Sequence, residues 1–101
     1  NMPCTEEALE AFKKNNVVIA PSKAVNAGGV AVSALEMRQN AGWDKWGFHA
    51  TDKKLHQIMR QIHDTCLSNA RKYGNDGDYT LGANVGGFLR VAKAAIAHGV
   101  I

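Results

Sequence analysis

The stretch Asn26-Ala27-Gly28-Gly29-Val30-Ala31-Val32-Ser33 holds the residue types best suited to binding a small polar ligand. Two adjacent glycines let the backbone approach a ligand closely. If they open a helix, its first N–H groups face outward and favour a carboxylate or phosphate. Asn26 offers an amide donor and acceptor, and Ser33 a hydroxyl. Ser33 follows Val30 by three positions, which places both on one helix face. A tight turn with close helix packing accounts for the same residues equally well. Asn1 would add a second ligand-facing amide if a strand precedes it, and is otherwise an ordinary first residue.

The remaining candidates favour structure over chemistry. His56 and His63 are seven apart, about 10 Å of helical rise, too far for one shared metal ion. They read as surface histidines, and His49 and His98 have no evident partner. Gly82, Asn84 and Gly87 partly resemble a dinucleotide fingerprint, but an Asn holds the second glycine position and no strand precedes them. Close helix packing explains them better. Ser33 has no His and acid nearby in sequence to activate it. No catalytic residue and no metal ligand is assigned. Cys4 and Cys66 match no zinc or redox spacing. They read as free thiols packed as small hydrophobes, which suits a reducing cytosol.

These residues must be positioned by a chain of 101 residues, 46% hydrophobic and 21% charged. That apolar share excludes a disordered tail, and no apolar run is long enough to span a bilayer. No signal peptide is visible. Twelve basic residues against nine acidic ones give a net charge of +3. They are scattered rather than gathered on one face, so neither nucleic acid nor membrane is expected as a partner.

Thr5-Glu6-Glu7 marks a helix start, and Asn15-Asn16 its stop. Val17-Val18-Ile19-Ala20 reads as a short strand buried on both faces. Residues 22–29 read as a loop, followed by a helix from about 28–30 to 40 that Gly42 ends. Trp43, Trp46 and Phe48 suggest a hydrophobic cluster pinning a connection. Thr51-Asp52 caps a long helix whose stripe runs Leu55, Ile58, Ile62, Cys66, Ala70 and Tyr73. Asn75-Asp76-Gly77 is a turn, and a last helix covers about 83–98, with Gly99 as its C-cap. The expected class is α/β, with the chain itself mainly α: about four helices and one short strand. A lone strand cannot satisfy its backbone groups in a core. The chain therefore reads as a piece of something larger, cut just before Asn1.

Several segments resemble hexameric glutamate dehydrogenases of the small bacterial and lower-eukaryotic type, often NADP-linked. They are residues 1–5, Ala20-Pro21-Ser22-Lys23 through Glu36-Met37, Leu55-His56-Gln57-Ile58-Met59, residues 82–88 and Ala97-His98-Gly99-Val100-Ile101. The resemblance covers essentially the whole chain. It implies that residues 1–101 are the C-terminal part of a Rossmann-like dinucleotide-binding domain. Helices over about 51–101 would return toward a substrate domain absent from this chain. It also implies that Asn1 and Asn26 contact the cofactor near the nicotinamide ribose. Val30 would pack against the glutamate side chain, and Ser33 would bind a substrate carboxylate. The family's catalytic lysine and aspartate match nothing here, and Lys23 is not given the catalytic role.

The expected function is a share in an oxidoreductase. It converts L-glutamate reversibly to 2-oxoglutarate and ammonia with NADP or NAD, as a cytoplasmic homo-hexamer. The segment would supply cofactor and substrate contacts and be inactive alone. The alternative is a small non-catalytic helical interaction module.

Overall fold

The computed structural model describes residues 2–42 and 47–100. Five helices follow one another: α1 Glu6–Lys14, α2 Ser22–Val25, α3 Ala27–Ala41, α4 Phe48–Tyr73 and α5 Tyr79–Ala97.

The start and stop of α1 follow the sequence signals. Thr5 Oγ1 accepts from the Ala8 amide at 3.2 Å. Glu6 and Glu7 sit at the positive end of the helix dipole, and Lys13 and Lys14 at the negative end. Asn16 then turns the chain with a left-handed φ of 55°, a conformation Asn tolerates better than most residues.

The α/β expectation is overturned at residues 17–20. Among the described residues there is no strand, and every described element is a helix. The Rossmann-like assignment falls with the strand. Val17 donates its amide back to the Phe12 carbonyl at 2.9 Å, a turn bond rather than a ladder bond. Val18 is 76% exposed, so the segment is not buried on both faces. An apolar run specifies a strand only where neighbouring strands complete its hydrogen bonds.

The second correction concerns residues 22–29, which are helical rather than a loop. Pro21 presets its φ at −66°. Its carbonyl accepts from the amides of Ala24 and Val25, each at 3.0 Å. Asn26 keeps right-handed helical angles, so α2 runs into α3 with no open end between them. Gly42 ends α3 as expected.

Helix α4 begins at Phe48 on an N-cap of Gly47, so Thr51 and Asp52 lie inside it rather than capping it. Asp52 instead pairs with His56 one turn on, at 3.6 Å. Asp78 caps α5 by accepting from the Leu81 amide at 3.1 Å. This starts the helix at Tyr79, ahead of the expected position near 83. Gly99 has φ +73°, and the Val100 amide reaches back to the Ala95 carbonyl at 3.0 Å. That is a glycine-closed helix end of the Schellman type.

The principal packing is α4 on α5. Cys66 is 5% exposed and Ala70 fully buried. Gly82 presses against the Cys66 backbone, where a Cβ would stand 1.8 Å from its carbonyl oxygen. The stripe read from sequence is thus the packed face of α4, although Tyr73 at its end is exposed. Helix α3 lies on α4; its buried residue is Leu35, 8% exposed, and the Cβ position of Gly28 is 3.4 Å from Met59 Sδ.

The whole is flat, 50 × 39 × 22 Å, with a radius of gyration of 16.6 Å. A closed domain of this length would have about 13 Å. No large side chain is fully buried among the described residues. The helices therefore display apolar faces instead of enclosing one core.

Candidate functional site

The predicted ligand-binding residues gather on one side of α2–α3. Asn26, Val30 and Ser33 are exposed, with Val30 at 74%. Leu35 and Gly28 take the packed side. The two glycines therefore have different roles. Gly28 admits Met59 of α4, whereas a Cβ at Gly29 would meet nothing within 4 Å. Close helix packing explains Gly28, and open space lies beside Gly29.

The chemistry of this face differs from the expectation in one respect. Gly29 donates its amide to the Asn26 carbonyl at 3.0 Å, and Asn26 donates its own to Ser22 at 2.8 Å. These amides are spent within the helix, so Gly28 does not open an anion-binding helix end. What this face exposes is therefore side chains: those of Asn26, Val30 and Ser33. Asn1 lies outside the described residues. So do Trp43 and Trp46 of the expected aromatic cluster. Phe48 is 79% exposed, edge-on to the His49 ring at 5.8 Å between centroids.

Two contacts unite residues far apart in sequence. Lys23 of α2 donates through Nζ to Asn84 Oδ1 of α5. His63 of α4 lies 3.1 Å from Tyr79 Oη of α5 through Nε2 and 3.3 Å from Asp64 through Nδ1. Neither pair was legible as a pair, because each depends on how α5 crosses its neighbours. The only signal was the placement of His63 one position after Ile62 on the packed stripe.

Pro21, Val25, Met59, Ile62 and Tyr79 surround an apolar hollow of about 240 Å³. Cys66 lines it too, and burial pushes its thiol above the ordinary range. A thiol held protonated is a poor nucleophile. Cys66 thus packs as a small hydrophobe, whereas Cys4 is exposed, against expectation. Among the described residues no three His, Cys, Asp or Glu side chains cluster as a metal site. Among the described residues no helix is long and apolar enough to cross a membrane.

The face on α2–α3 thus presents an amide, a hydroxyl and apolar surface to its surroundings. Residues 1–99 match the family described as glutamate/leucine/phenylalanine/valine dehydrogenase. The chain belongs to that dehydrogenase family.

Family members include close relatives of this chain. It is 52% identical to an NAD-specific glutamate dehydrogenase of Porphyromonas gingivalis, over 99% of this chain and 22% of the relative. It is 48% identical to an NADP-specific glutamate dehydrogenase of Escherichia coli, over 100% of this chain and again 22% of the relative. Glutamate dehydrogenase 2 of Plasmodium falciparum shares the fold at a TM-score of 0.89 and 46% identity. That match covers 100% of this chain and 22% of the other. The dehydrogenase-family chain thus spans about a fifth of the length of these relatives.

Proposed function

We propose that this chain works as part of a glutamate dehydrogenase, an oxidoreductase that interconverts L-glutamate with 2-oxoglutarate and ammonia. The observation that carries the reading is the exposed Asn26–Val30–Ser33 face on a chain of this dehydrogenase family. Both NAD-specific and NADP-specific enzymes occur among the relatives, so the cofactor is NAD or NADP.

The residues present fit such a cofactor, because space beside Gly29 is open and Asn26 is exposed next to it. Asn26, with Asn1, holds the nicotinamide ribose region by amide hydrogen bonds. A bound nicotinamide supplies the hydride acceptor. Val30 presents apolar surface to the methylenes of glutamate, and Ser33 donates its hydroxyl to a substrate carboxylate. No residue of this chain is assigned the proton transfers, and alone it is inactive. The assembled enzyme is a homo-hexamer of the cytoplasm.

The alternative, a non-catalytic helical module, rests only on the amphipathic faces of α4 and α5, and the family match weighs against it. Glutamate-dependent reduction of NAD or NADP by the family-length polypeptide carrying this sequence tests the reading. Turnover with glutamate and not with leucine, phenylalanine or valine is expected. A preference for one of the apolar amino acids overturns it.

A further inference from the structure

A second groove runs between α2, α4 and α5 and shares Ala24, Ile62 and Cys66 with the apolar hollow. It encloses about 620 Å³. Lys23 and Arg90 bring cationic side chains to it, and Gln61 and Thr65 add polar ones. No described Asp or Glu lines it. Nor does any described carboxylate pair with Lys23 or Arg90. The partner that Lys23 does have, Asn84 Oδ1, is neutral. It orients the ammonium group without cancelling its charge. Gly86 and Gly87 form part of the lining, and Gly87 has nothing within 4 Å of its Cβ position, which leaves the backbone of α5 approachable.

We propose that this groove binds a small anion, a carboxylate or phosphate group held between Lys23 and Arg90, with Asn84 positioning Lys23. Two cations in a groove with no described acid favour an anion by direct attraction and by charge-assisted hydrogen bonds. Arg90 matches both chemistries, since its guanidinium fork fits carboxylate and phosphate alike. The proposal is independent of the function proposed above, because it concerns binding in a different groove and needs no turnover.

The test is an NMR titration of the 101-residue chain at constant low ionic strength, with inorganic phosphate in one arm and glutarate in the other. Saturable shifts of the Lys23, Gly86 and Gly87 amides are expected in at least one arm, and the saturating arm names the ligand chemistry. Lys23→Gln and Arg90→Gln should each weaken binding about tenfold. Lys23→Arg should retain it, and Lys93→Gln, which removes the same charge outside the groove, should leave it unchanged. Circular dichroism checks that each variant keeps its helices. An absence of saturation in both arms overturns the proposal. So does equal binding by Lys23→Gln, Arg90→Gln and Lys93→Gln, which would mark an unspecific surface charge effect.

Discussion

Gly82 of α5 lies against Cys66 of α4 so closely that a Cβ on the glycine would stand 1.8 Å from the Cys66 carbonyl oxygen. The obstacle is backbone, so no side-chain rotation relieves it. Gly82→Ala must separate the two helices that make the principal packing of the chain. The expected cost is at least about 1–3 kcal/mol, the usual penalty for overpacking. Thermal unfolding followed by circular dichroism checks it. A variant as stable as the parent would show that the α4–α5 seam is looser than described.

The two adjacent glycines of α3 should respond in opposite ways. Gly29→Ala meets no atom and removes a helix-interior glycine, so it should stabilise the chain by up to about 1 kcal/mol. In the assembled dehydrogenase the same methyl enters the proposed ligand face, so substrate or cofactor affinity should fall. Gly28→Ala sits against Met59, at 3.4 Å from its sulfur, and its gain should be smaller. Unfolding midpoints together with KM values separate the two effects. Unimpaired binding in Gly29→Ala would place the ligand elsewhere.

The cap of α5 is a separate test. Asp78 accepts from the Leu81 amide and also lies 4.0 Å from Lys13 in the last turn of α1. Asp78→Ala should cost about 1 kcal/mol, mostly from the cap, because ion pairs this exposed contribute little. Asp78→Asn keeps the capping oxygen and should recover most of the loss. Denaturant unfolding of both variants measures the split.

Burial raises the Cys66 thiol, which has a consequence for stability against pH. The folded chain holds this proton to higher pH than the unfolded chain does. Its contribution is therefore complete below the unfolded thiol range, about 8.5, and is lost as pH rises through the folded value. Stability should decline on the alkaline side, and Cys66→Ala should flatten that part of the profile. Alkylation should modify the exposed Cys4 well before Cys66.

Much of the helical framework was legible because its signals are local. Thr5 with two acids, Asn16, Gly42, Gly99 and the Leu55–Ala70 stripe each act within a turn or two of chain. The misreadings occur where the outcome depends on distant partners. Residues 17–20 have a strand-like composition, yet no described strand lies beside them. The Gly28-Gly29 pair suggested a ligand cradle, but Pro21 starts the helix earlier and the glycines ride within it. The starts of α4 and α5 shifted by a turn, because Gly47 rather than Thr51 is the N-cap of α4 and Asp78 caps α5 ahead of the expected start near 83. Of the candidate site, the shared face of Val30 and Ser33 followed from their spacing, whereas Asn26 was read in a loop and joins them because the helix starts earlier. The Lys23–Asn84 contact spans 61 positions and needed the tertiary fold.

The central claim is that the α2–α3 face binds glutamate through Ser33. Steady-state kinetics of Ser33→Ala in the family-length enzyme test it most directly. Loss of a hydroxyl donor to a carboxylate should weaken glutamate binding by about 1–3 kcal/mol, raising KM for glutamate while KM for the nicotinamide cofactor stays put. An unchanged KM and kcat/KM for glutamate would contradict the account.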